Sequence, residues 1–205
     1  MLEVYSSLAH FSKWGPTMSK TAASIAVAFV IMLTSMTATA QESATPEDVA
    51  IAQGLLTRLG FDPGPVNGVN SDRTNQAIQT FHEVQGIDLP PGESELLSAI
   101  AVKNLMTAFV GQLMEPPEST SDLFHAATAG DGDAAIELGF MYFQGNSVAE
   151  DPMLAYLWWT VAESTGTSRV LNLKDWIKSS GKISDHEITC ARRLVVLLSD
   201  AVRSR

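Results

Sequence analysis

His186 and Cys190 stand four residues apart, a spacing that puts both on one face of a helix. An imidazole beside a thiol is the start of a nucleophilic cysteine, and the same pair could begin a metal site. The sequence supplies no third ligand and no group to orient the histidine. The pair therefore reads as two residues of an ordinary helix, with Cys190 as a small apolar side chain. The four histidines, at 10, 82, 125 and 186, have no zinc-site spacing. Gly130-Asp131-Gly132-Asp133 puts two carboxylates in a turn, but it lacks the alternating acids and closing glutamate of a calcium loop. Asp133 reads as a helix cap. No catalytic set, metal site or cofactor motif emerges, and the expectation is a chain with none. Arg73 is of another kind. It falls in the first turn of a predicted helix beside Asn67-Gly68, where a guanidinium could hold a carboxylate bidentately. The alternative is a solvated arginine.

The stretch that positions Arg73 runs from Leu59 to His82. Gly60, Gly64 and Gly68 take positive φ at little cost, and Pro63 and Pro65 fix φ between them. Asn67-Gly68 is a strong turn dipeptide. Ser71 then caps a helix whose first turn holds Asp72. Ala77, Ile78 and Phe81 fall at helical spacing and give that helix a buried face.

With the preceding helix in front, the pattern reads Gln53-x-x-Leu56-x-x-Leu59-Gly60-Phe61, Pro-Gly, Asn67-Gly68, Thr74-x-x-Ala77-Ile78-x-x-Phe81. It resembles the three-helix peptidoglycan-binding domain carried by many bacterial cell-wall hydrolases. Three positions depart from that family's pattern. Asn67 stands for its aspartate, Ser71 for its second glycine and His82 for its terminal glutamine. The resemblance implies a three-helix fold over 45–111 and a peptidoglycan site of Asn67, Gly68, Arg73, Thr74 and His82. Stem peptides carry free carboxylates that Arg73 could hold. His82 reads either as a ligand contact or as a solvated residue. The module holds only Arg58, Arg73 and Lys103 against eight acids, so long-range attraction to an anionic wall is not the mechanism.

Ahead of this module, residues 22–34 form an apolar run between Lys20 and Ala38-Thr39-Ala40. That layout is a secretory signal peptide with a small-x-small cleavage site. The run falls short of the ~20 apolar residues of a membrane span. An uncleaved anchor is the alternative. Residues 1–40 are thus expected to be a signal, with 18–40 its true extent and Met18 a better start than Met1. Cleavage after Ala40 leaves 11 basic and 22 acidic side chains, a net charge of −11. Such acidity argues against nucleic acid and anionic lipid as partners. One cysteine allows no internal disulfide, so stability must come from packed helices.

Three helices are expected in 45–111. The first opens at Thr45-Pro46, and the second runs from Asp72 to about Val84. The third runs from about Glu93 to Phe109 and buries Leu96, Leu97, Ile100, Leu105 and Phe109. Gln112–Ser121, with two prolines, reads as a linker. Beyond it, Ala135-x-x-Leu138-Gly139-x-x-Tyr142-x-x-Gly145 and Asp151-Pro152-x-x-Ala155-x-x-Trp158-x-x-x-Ala162 read as a helical hairpin. Asp151 caps its second helix. Ala126-x-x-x-Gly130 recurs 36 residues later as Ala162-x-x-x-Gly166, an offset that suggests a helical solenoid. Residues 135–166 resemble a Sel-like repeat, a relative of the tetratricopeptide repeat. Two further helices, about 169–180 and from the Ser184/Glu187 capping box onward, close the region 122–205. Trp158 is expected in its core. Tyr156 and Trp159 are expected on a neighbouring face as hot spots for a partner protein; the alternative packs both against the following helix.

The whole reads as an all-α, exported, periplasmic protein without catalytic activity, touching the membrane only during export. Its first module binds peptidoglycan and its second an unidentified envelope protein. The alternatives are a pure interaction scaffold that has lost glycan binding, and an accessory subunit of a cell-wall hydrolase.

Overall fold

The computed structural model describes residues 44–88 and 98–204. They form eight α-helices and one short 3₁₀ turn, with no ladder of strands among them. The expected signal segment lies outside the described residues, as do Leu96 and Leu97.

Helix α1 (Pro46–Arg58) opens with a reciprocal cap. The Thr45 hydroxyl accepts from the Asp48 amide, and the Asp48 carboxylate accepts from the Thr45 amide. Proline at the first helical position sacrifices no hydrogen bond. Helix α2 (Asp72–Gln85) starts at Ser71 and stops where Gly86 turns left-handed at φ 64°. Helix α3 (Ala99–Leu113) is capped by Ser98. Leu105 and Phe109 are buried in it as expected, but Ile100 faces solvent.

The expected linker is not a spacer. Gln112 and Leu113 finish α3, Met114 joins the core, and Pro117 leads into a 3₁₀ turn, Glu118–Thr120. Thr120 is buried and its hydroxyl donates to the Pro117 carbonyl. The proline pair fixes a tight corner rather than a stiff tether.

Helices α4 (Ser121–Thr128), α5 (Gly132–Gln144), α6 (Pro152–Ser164), α7 (Val170–Ser179) and α8 (Asp185–Arg203) follow. Asp131, not Asp133, caps α5, accepting from the amides of Asp133 and Ala134. Asp151 caps α6 and Pro152 takes its first position. Helices α5 and α6 pack most extensively, and glycine permits their close approach. A Cβ on Gly139 would lie 2.1 Å from the Trp159 ring nitrogen.

The central helix is α6, packed against α5, α7 and α8. Every residue from Met153 to Trp159 is buried, because a helix covered on several sides needs apolar residues all round. Tyr156 and Trp159 are therefore core residues, each 0% exposed. The partner-facing aromatic surface expected at these positions does not exist. Trp158 is core as expected, edge-on to Phe124 with ring centroids 5.5 Å apart. Trp159 donates its indole N–H to the Ile136 carbonyl at 3.3 Å and sits edge-on to Phe140.

Helix α8 packs on α6, but also on α1 and α3. Its buried residues, Ile188, Cys190, Ala191, Leu194 and Leu198, belong to the same core as Leu56 and Phe81. The described residues fall in one compact unit, 42–205. The two modules separated in the sequence share one hydrophobic core.

Candidate functional site

The α1–α2 loop is built around one buried amide. The Gln53 side-chain oxygen accepts from the backbone amides of Asn67 (3.0 Å) and Gly68 (3.1 Å). Its nitrogen donates to the Val69 carbonyl (3.0 Å) and the Thr74 hydroxyl (3.1 Å). All four bonding positions of the amide are filled, at 1% exposure. Asn67 tightens the turn further, its side-chain oxygen accepting from the Val69 amide. Gly68 is required twice over: its φ is 73°, and a Cβ there would meet the Pro46 carbonyl oxygen at 2.6 Å.

Thr74 is buried in this frame. Its hydroxyl donates to the Pro63 carbonyl and accepts from Gln53. Helix α2 thus locks both ends of the loop, and Thr74 offers nothing to a ligand. His82 is likewise buried, at 2% exposure, beside the Phe81 ring. Neither ring nitrogen finds a partner among the described residues. Burial holds the imidazole below its usual range. It is neither the ligand contact nor the solvated residue expected from the sequence.

Arg73 and Asn67 do face solvent. Arg73 pairs with Asp62 across an open groove of about 400 Å³ floored by Phe61 and Ala77. The Arg73 hydrogen bond, with help from the Gly64 amide, holds the Asp62 carboxyl below the usual carboxylate range. Of the five expected site residues, then, the structure leaves Asn67 and Arg73 on the surface, with Gly68 half-buried between them. Thr74 and His82 belong to the interior. Gln53 was visible in the sequence as a motif position, but its period placed it only as a helix residue. Nothing local showed that its amide fills the loop.

Arg58 enters the sequence reading only as one of the module's three basic residues. In the structure it grips Asp151 bidentately, at 2.8 and 3.1 Å, and reaches Glu187 at 2.9 Å. Burial works against its charge, but the two carboxylates more than offset this and raise its pKa. Burial also disfavours the charge on Glu187. The Ser184 cap and Arg58 outweigh that and hold it ionised. Cys190 lies in the shared core, and burial pushes its thiol up to about 12. A thiolate is inaccessible there at neutral pH, so the His186/Cys190 spacing does no chemistry. His186 meets the Ser184 hydroxyl at 3.1 Å. Among the described residues, no group of three or more His, Cys, Asp or Glu side chains is placed to hold a metal.

Residues 45–90 match the protein family described as "Putative peptidoglycan binding domain". The match covers α1, the Gln53-centred loop and α2, so this segment is similar to that peptidoglycan-binding domain. No curated protein and no solved structure matches the chain.

Proposed function

We propose that this chain is an exported, non-catalytic protein of the bacterial cell envelope that docks on peptidoglycan through the α1–α2 loop. The observation that carries the reading is the family match over 45–90. The loop supports it, with a Gln53-locked backbone that leaves Asn67 exposed and Arg73 beside an open groove. A stem-peptide carboxylate would displace Asp62 from Arg73. Both side chains of that pair are largely exposed, so the pair is screened and exchangeable. Residues 122–205 are read as a Sel-like repeat region that presents a surface to a partner protein. With Tyr156 and Trp159 buried, its large exposed apolar side chains among the described residues are Leu171 and Trp176 on α7 and Val196 on α8. The signal-like segment supports periplasmic localisation, with a mature chain beginning at Gln41.

Co-sedimentation with purified sacculi tests the reading. The wild-type protein should pellet with the sacculi. Arg73→Ala should bind several-fold more weakly with an unchanged melting curve. The scaffold reading draws on the occupied Arg73 and the buried Thr74 and His82. It stands if the wild-type protein stays in the supernatant.

A further inference from the structure

Basic side chains are unevenly placed in this acidic chain. Of the 11 in residues 41–205, eight come after position 168. Arg58 is taken up by Asp151 and Glu187, and Arg73 by Asp62. Three of the eight converge on one buried ring. Lys174 Nζ lies 4.9 Å from the Tyr156 centroid, Lys178 Nζ 5.7 Å and Arg192 Cζ 6.0 Å.

The acids nearby do not balance them. Lys174 is buried and paired with Glu163. Lys178 reaches Asp175 only at 3.7 Å, and that carboxylate is 80% exposed. Arg192 makes no ion pair among the described residues. Its one hydrogen bond goes to the Tyr156 hydroxyl at 3.2 Å. A neutral phenol spends no charge on it. The hydroxyl's own proton meets no acceptor among the described residues, although Tyr156 is 0% exposed. The ring face attracts each cation, but it carries no net charge and leaves their mutual repulsion standing.

We infer that Lys178 and Arg192 form a binding site for an oxyanion, a carboxylate or a phosphate group, with Tyr156 as its floor. The guanidinium offers a planar fork to two oxygens and the ammonium adds a third donor. Lys174 is spoken for by Glu163 and is not part of the site. Lys178 and Arg192 come from α7 and α8, and both lean on the Tyr156 ring of α6, so no local sequence motif marks the site. It lies outside residues 45–90 and does not rest on the peptidoglycan reading.

The test is a ¹H–¹⁵N NMR titration of the full chain with sodium phosphate and, separately, sodium acetate. Sodium chloride holds the ionic strength constant. Saturable shifts are expected at the end of α7 and around Arg192 in the middle of α8. They should be at least tenfold weaker in Arg192→Gln and in Lys178→Gln, whose spectra otherwise overlay the wild type. Arg192→Lys keeps the charge but loses the fork, and it should bind with intermediate strength. Saturation by phosphate alone assigns the site to phosphate groups, and saturation by acetate as well assigns it to carboxylates. Shifts that never saturate, or that persist undiminished in both glutamine variants, would overturn the proposal.

Discussion

Gln53 holds three loop backbone groups and one hydroxyl with a single amide, so its removal leaves several polar groups unpaired at once. Gln53→Ala should cost about 2–3 kcal/mol in urea unfolding, since each buried group left without a partner costs about 1–3 kcal/mol. Gln53→Glu should recover only part, because a carboxylate can accept from Asn67 and Gly68 but cannot donate to Val69 and Thr74. His82 makes a prediction with a sign. Burial lowers its folded-state pKa, so the unfolded chain takes up a proton that the folded chain refuses. Stability is therefore flat above the ordinary histidine value of about 6.5 and falls as pH drops below it, down to the folded value. His82→Leu should remove that part of the slope. If wild type and variant lose stability in parallel between pH 7.5 and 5, the imidazole is not sealed from solvent.

At the scale of the element, α6 decides how the second half behaves. Trp158→Ala and Trp159→Ala should each destabilise by about 3–5 kcal/mol, as large aromatic truncations in a core do. Matching losses in thermal melts would support this, whereas a Trp159→Ala that melts like wild type would put the indole at a surface. The sequence marked the ends of these helices well. Thr45, Ser71, Asp151 and the Ser184/Glu187 box all cap where expected, because a cap is settled within four residues. It marked the inward side of α6 only in part. Trp158, Ala155 and Ala162 could be placed inward by spacing, but the burial of Tyr156 and Trp159 depends on α5, α7 and α8 arriving from elsewhere in the chain. The same limit applies to Asp131. Both it and Asp133 stand at the helix start, and only the backbone geometry selects between them.

For the molecule as a whole, the shared core and the Arg58 bridge predict a single unfolding transition. Calorimetry and fluorescence should give one coincident midpoint. Two separable transitions would mean that the first module folds without α8. Arg58→Ala should cost about 3 kcal/mol, because it leaves two partly buried carboxylates without their cation. The loss should be equal for probes in either half. A cavity of about 280 Å³ lies beside the bridge, lined by Arg58, Tyr142, Asp151 and Trp158, and Trp158 keeps its indole N–H buried without an acceptor among the described residues. The sequence split the chain at its proline pair because composition changes there, and composition carries no information about a helix returning from the far end. That return has a consequence for how the protein is made. Helix α8 leaves the ribosome after the helices it packs on, α1, α3 and α6, so until then α1 and α3 lack a wall of their core. The core around α1 and α3 is therefore completed only once α8 has been made and has folded back onto them.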